Sequence, residues 1–166
     1  MNKPLKFWRF LFNALVLMII SGHSFSLAQA QTYTLEMTGS LYANSIPHMA
    51  ADVSALVRVN DKLHSYTRLE FRPLTPGQIA HSTSTGIEYT LFTSPKLDMN
   101  SMVQAGVATG PDTTSGVFTG GGNLVIKPSW TKGFQFVIAG EMVSSPTLGG
   151  SEPQIRFGFR YPLISQ

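Results

Sequence analysis

The chain has 166 residues, no cysteine and a formal net charge of +3. The missing cysteine excludes a disulfide scaffold and a cysteine-linked lipid anchor. The charge excess is confined to Lys3, Lys6 and Arg9. Beyond them nine Lys and Arg balance nine Asp and Glu, so the basic patch of a nucleic-acid binder is not expected.

The first segment in chain order is a leader. Lys3, Lys6 and Arg9 precede an apolar run, Phe10 to Ile20, broken only by Asn13. Small and polar residues follow, ending in Ala28-Gln29-Ala30. This order of regions predicts a secretory signal peptide over 1–30, cleaved after Ala30. The run is shorter than the roughly 20 residues of a membrane helix. Residues 31–166 are then one domain. Charged residues make up 13% of the whole chain, against about 25% in ordinary soluble domains, so much of the surface is expected to face something other than water.

After residue 30 the pattern alternates in steps of two, the signature of strands. Eight are predicted: Tyr33–Tyr42, Ala51–Asn60, Leu63–Arg72, Gly86–Thr93, Met99–Ala108, Val117–Lys127, Phe134–Val143 and Ile155–Leu163. Short connections at 61–62, 94–98 and 128–133 alternate with longer segments rich in Ser, Thr, Pro and Gly at 43–50, 73–85, 109–116 and 144–154. An up-and-down membrane barrel has this arrangement, with an even strand count and both termini at the short-turn end.

Parity sorts the charges. One face of the strands carries residues such as Leu35, Met37, Val57, Leu69, Ile87, Val103, Leu124, Phe136, Ile138, Phe157 and Phe159, and no charge. The other carries Glu36, Asp52, Arg58, Arg68, Glu70, Arg72, Glu88, Lys127, Glu141, Arg156 and Arg160. A soluble ligand-binding barrel would turn the apolar face inward, whereas a membrane barrel turns it to lipid. The charged face is otherwise built of small residues such as Ser40, Ser54, Gly106 and Gly158, which leave room for long Arg and Glu side chains. That volume pattern favours an all-β, eight-stranded antiparallel transmembrane barrel. Its expected interior cluster is Glu36, Arg58, Arg68, Glu70, Arg72, Glu88, Glu141, Arg156 and Arg160, with near-neutral pairing because an unpaired buried charge is costly. Glu36 is expected to meet Arg156 or Arg160 across the closing seam, and Glu70 the arginines around Glu88. Tyr33, Trp130, Phe134 and Tyr161 at the turn end, with Tyr42, Phe71 and Phe118 at the other, are expected to form aromatic girdles.

The last strand, Ile155-Arg156-Phe157-Gly158-Phe159-Arg160-Tyr161-Pro162-Leu163, looks like the assembly signal of outer-membrane barrels. Arg156, Gly158, Tyr161 and Leu163 match its polar, glycine and hydrophobic positions, although the chain runs on through Ile164-Ser165-Gln166 where such barrels usually stop on an aromatic residue. With eight strands and a charged interior, residues 31–166 resemble the small outer-membrane barrels of the OmpA/OmpX type. The resemblance implies a monomeric barrel in a Gram-negative outer membrane, with surrounding lipid and the barrel assembly machinery as its partners. It names no partner for the loops.

No catalytic residue, metal or cofactor is expected. His81-Ser82-Thr83-Ser84, followed by Glu88, sets hydroxyls beside a histidine, but a hydrolytic site also needs a base oriented by a third group. His48-Met49 with Met99 and Met102 could suggest a soft metal; scattered lipid-facing methionines account for them better. Gly120-Gly121-Gly122 lies in a strand with no helix after it to bind phosphate, so a bulge or close packing is expected there. An eight-stranded barrel is just wide enough for its own side chains. The leading expectation is therefore a structural or interaction protein of the envelope, ahead of a narrow small-solute channel and a lipid-modifying enzyme.

Overall fold

The structure, a computed structural model, describes residues 33–42, 49–75, 77–131 and 133–164. The expected leader and His48 lie outside these residues. Eight strands follow one another: β1 (Tyr33–Tyr42), β2 (Met49–Arg58), β3 (Leu63–Thr75), β4 (Gln78–Thr93), β5 (Leu97–Thr109), β6 (Thr114–Ile126), β7 (Gln135–Ser145) and β8 (Gly150–Ile164). Each pairs antiparallel with the next, and β1 pairs with β8, which closes the barrel.

The expected strand order and facing hold, but the expected contrast in loop length does not. The segment 73–85 is almost entirely strand, because β3 runs to Thr75 and β4 begins at Gln78. Likewise β5 and β6 extend to Thr109 and Thr114, and β7 and β8 to Ser145 and Gly150, with one 3-10 turn, Pro146–Leu148, between them. Ser and Thr made these stretches read as loops. Thr is β-branched and suits a strand, and the hydroxyls bond one another across the ladder, as in Ser144 with Ser151. The longest connection between described strands, Lys127 to Phe134, lies at the end where short turns were expected.

Parity governs the two faces. Glu36, Asp52, Arg68, Glu70, Glu88, Glu141, Arg156 and Arg160 are buried in the lumen. Met37, Ile87, Leu91, Val103, Leu124, Ile138, Phe157 and Phe159 are exposed on the outer wall. That wall carries no Asp, Glu, Lys or Arg on any described strand. Tyr89 on β4 and Phe118 on β6 are exposed on it, and a cluster of aromatic residues forms at the turn end around β7, β8 and the connection before β7. Phe134 and Tyr161 rings lie 4.9 Å apart, Phe136 and Phe159 5.4 Å, and Trp130 and Phe136 6.3 Å. Tyr42 departs from the girdle expectation: it is inside, 2% exposed, because its even position shares the inward parity of Glu36 and Ser40.

Glycines let the sheet curl tightly enough to close. A Cβ at Gly86 would overlap the Val103 carbonyl oxygen, and one at Gly106 would overlap that of Thr83. At these two points on β4 and β5 the backbones approach closer than any side chain allows. The glycine run at 120–122 follows the same logic, with Gly121 pressed against Gly140 and Glu141 in an unbroken register. Close packing, not a bulge, accounts for it.

Candidate functional site

The lumen is the distinctive site, and the barrel ring explains its geometry. In a closed ring of eight strands, β3 faces β7 and β4 faces β8. Two ion pairs cross the lumen on these diameters. Arg68 on β3 donates from Nη1 to Glu141 Oε2 on β7 at 2.8 Å. Arg160 on β8 donates from Nη1 and Nη2 to the two Glu88 oxygens on β4, at 3.0 and 2.7 Å.

Arg156 joins the two braces. Its guanidinium is wholly buried and lies within 3.1 Å of Glu36 Oε1 and Asp52 Oδ1, while its Nε donates to Glu141 Oε1 at 2.7 Å. Glu36 also accepts from Arg160 Nε at 2.8 Å. The closing seam therefore brings Glu36 to both Arg156 and Arg160. Neutral side chains complete the shell: Tyr66 donates its hydroxyl proton to Glu36 at 2.8 Å, and Asn123 donates to Glu88 at 2.7 Å. Multiple charge-assisted bonds of this kind keep buried ions tolerable.

Nearer the β3–β4 end, Arg72 holds a second group. Its guanidinium carbon stands 3.5 Å from the centre of the Tyr42 ring. Nη1 donates to the Leu148 carbonyl at 2.7 Å and lies 3.6 Å from Glu152, and Nε lies 3.6 Å from Glu70. Glu70 accepts from Tyr42, so it pairs here and not with the arginines around Glu88. The two groups share one lumen but not one set of partners.

Beyond Arg72 the lumen becomes apolar. Tyr42, Ala50, Ala80, Ala108, Val117, Val143 and Leu148 pack as one buried cluster. Leu148 enters it from the 3-10 turn, which ends on Gly149 in the left-handed region at φ 102°. At the opposite mouth a cavity of about 280 Å³ is lined by Thr34, Arg58, Asp61, His64, Thr90, Thr93 and Asp98.

The structure brings eight of the nine expected charges into the buried lumen. Arg58 is the exception. It sits at the last residue of β2, with its side chain 47% exposed, and pairs with Asp61 of the following turn. Lys127, also placed inside by parity, pairs with Asp98 at the mouth at 2.6 Å. Two carboxylates were missed as members of the cluster. Asp52 stands on the charge-bearing face by parity but was not counted in the expected cluster; Glu152 was hidden by reading 144–154 as a loop. Among the described residues, four buried guanidiniums, of Arg68, Arg72, Arg156 and Arg160, therefore face six buried carboxylates, of Glu36, Asp52, Glu70, Glu88, Glu141 and Glu152. Near-neutral pairing is not what the lumen has.

The assembly-signal residues alternate along β8. Arg156 and Gly158 share the inward parity of Arg160, while Tyr161 and Leu163 are exposed on the outer wall. Met102 is inside, with Arg156 Nη2 at 3.9 Å from its sulfur, so it is not one of the lipid-facing methionines expected from the sequence. His81 and Ser82 are successive residues of β4, opposite Phe71 and Glu70 respectively, and so project to opposite faces. Glu88 is taken up by Arg160. The histidine, hydroxyl and carboxylate of that motif are not brought together.

These features define a transmembrane β-barrel of the small eight-stranded kind seen in outer-membrane proteins. Three solved structures share the architecture. Neisserial surface protein A aligns over 82% of this chain and 99% of its own, at 11% identity and TM-score 0.62. The N-terminal β-barrel domain of Pseudomonas aeruginosa OprF aligns over 82% of this chain and 100% of its own, at 14% identity and TM-score 0.56. A transmembrane barrel designed de novo aligns over 83% of this chain and 100% of its own, at 13% identity and TM-score 0.54. At these identities the likeness is one of fold. No family model and no curated protein matches the sequence.

Proposed function

We propose that this chain is an exported structural barrel of a Gram-negative outer membrane, with a lumen braced shut and not held open for solutes. The observation that carries this reading is the pair of wall-to-wall ion pairs, Arg68–Glu141 and Arg160–Glu88. The apolar cluster around Leu148 adds a second obstruction beyond them. A pore gains nothing from side chains that tie its opposite walls together, whereas a wall element gains rigidity. The connections at the β3–β4, β5–β6 and β7–β8 ends are short, so they offer little surface for display, and the weight falls on the envelope role.

In this reading residues 1–30 direct export and are removed, the β8 pattern of Arg156, Gly158, Tyr161 and Leu163 engages the barrel assembly machinery, and the folded barrel is monomeric. Planar-bilayer recording of the purified protein tests the plugged lumen. The expected trace is silent, and steady single-channel current in the wild-type protein overturns the proposal in favour of a narrow channel. Mass spectrometry of the envelope-resident protein tests the leader: Gln31 is the expected first residue, and a mass that retains Met1–Ala30 refutes cleavage.

A further inference from the structure

Lysine and arginine are distributed along this barrel with a strong bias. The segments 43–48, 73–85, 109–116 and 144–154 contain none. Among the described residues the turn end carries Arg58, Lys62, Lys96 and Lys127 against Asp61 and Asp98; the sequence adds Lys132 to the same connection. Two of those cations are already matched, since Arg58 bonds Asp61 and Lys127 bonds Asp98. Asp98 also accepts from Thr93 at 2.6 Å. Lys62 and Lys96 are exposed and, among the described residues, have no carboxylate partner.

The backbone holds these two lysines on either side of one apolar ridge. Thr90 N–H donates to the Lys62 carbonyl at 2.7 Å, and Lys127 N–H to the Lys96 carbonyl at 2.8 Å. Between the two turns, near the end of β4, stand Leu91 and Phe92, 60% and 53% exposed, where a register shift between Thr90 and Phe92 breaks the alternation. Trp130, 76% exposed, and the ring cluster of Phe134, Phe136, Phe159 and Tyr161 lie at the same end. Aromatic residues of this kind settle where hydrocarbon meets headgroups, which sets the turn lysines at headgroup depth.

We propose that Lys62 and Lys96 clamp the phosphodiester of an anionic phospholipid, with its acyl chains lying along Leu91 and Phe92. Free ammonium groups supply the charge, the fixed turns supply the spacing, and the ridge supplies the apolar contact that a soluble anion would not use. The clamp lies outside the lumen and does not depend on whether the barrel conducts.

Native mass spectrometry of the purified protein, from micelles holding equal phosphatidylglycerol and phosphatidylcholine, tests the clamp. A lysine at an anionic membrane surface contributes roughly fivefold, so the pair should favour phosphatidylglycerol by roughly 30-fold. The K62Q/K96Q double variant should approach parity, and added salt should weaken the wild-type preference. Both side chains are exposed and unpaired, so the double variant should keep the heat-modifiable gel mobility of a folded barrel. Asp112→Asn, at the opposite end, should leave the preference unchanged. Parity in the wild-type protein, or a preference that survives K62Q/K96Q, overturns the clamp. Displacement of the lipid by soluble glycerol phosphate also overturns it, because the site would then read a free anion.

Discussion

Arg160 and Glu88 stand on opposite walls of the barrel and meet across it through two hydrogen bonds, at 3.0 and 2.7 Å. The residues are 72 positions apart in the chain, and their bond ties together two strands, β4 and β8, that share no backbone ladder. Removing Glu88 takes away both bonds and leaves the buried Arg160 with Glu36 as its remaining carboxylate, which places the loss at the low end of the about 3–5 kcal/mol for breaking a buried pair. Glu88→Ala should therefore lower the thermal unfolding midpoint sharply. Replacing both partners with apolar residues of similar volume should recover much of that loss. Thermal unfolding of the single and double variants, followed by far-ultraviolet circular dichroism, checks both expectations.

Asp52 and Glu70 pose the opposite case. They are direct cross-strand partners on β2 and β3, both buried, and like charges set opposite each other destabilise a sheet. They also belong to a lumen with six carboxylates and four guanidiniums. Asp52→Asn keeps the size and an acceptor oxygen while removing one repulsion, so it should change stability by less than about 1 kcal/mol or raise it. Glu36→Gln, which withdraws charge from Arg156 and Arg160 together, should cost several times as much. If Asp52→Asn proves the more damaging of the two, the bond from Arg156 to Asp52 outweighs the repulsion, and the lumen charges are balanced differently.

Much of this was legible in the sequence, because a barrel wall obeys one rule everywhere. A period of two with one charge-free face places Glu36, Arg68 and Arg156 inside without knowledge of any contact. Parity also covered Tyr42 and Met102, yet composition overrode it: an aromatic near a strand end was read as a girdle residue and a methionine as lipid-facing. The same override turned the Ser- and Thr-rich stretch from Pro73 to Thr85 into a loop, and hid Glu152 in another. The diametric pairing of Arg160 with Glu88 was not legible. It depends on ring closure and on how far each strand is staggered against its neighbour, and no local pattern records either.

The outer wall makes its own test. Leu124 and Ile138 are cross-strand partners on β6 and β7, and both are exposed there. Arg at either site sets a charge against hydrocarbon, at about 2–4 kcal/mol near the bilayer midplane. Leu124→Arg should reduce folding yield and stability in phospholipid bilayers, as read by heat-modifiable gel mobility and urea titration. Equal stability of wild type and variant would mean that this face does not meet lipid.

Closure of the ring depends on glycine at places where no charge or period marks it. At Gly106 an added methyl group would collide with the Thr83 carbonyl and the Ser84 Cα, and both are backbone atoms held in the ladder with β4. A flexible side chain could swing away; a ladder cannot, so β4 and β5 would have to separate locally and loosen the curl they share. Gly106→Ala should therefore destabilise by about 1–3 kcal/mol, the range for overpacking, or more if hydrogen bonds break. Gly116→Ala provides the contrast, since nothing lies within 4 Å of a Cβ built there. Alanine at that site restricts the unfolded chain and should be neutral or stabilising by up to about 1 kcal/mol. Urea titration of the two variants in the same bilayer separates steric overlap from a general intolerance of substitution in the strands. A Gly106→Ala barrel as stable as Gly116→Ala would show that the β4–β5 contact relaxes freely and that its close approach is not needed for closure.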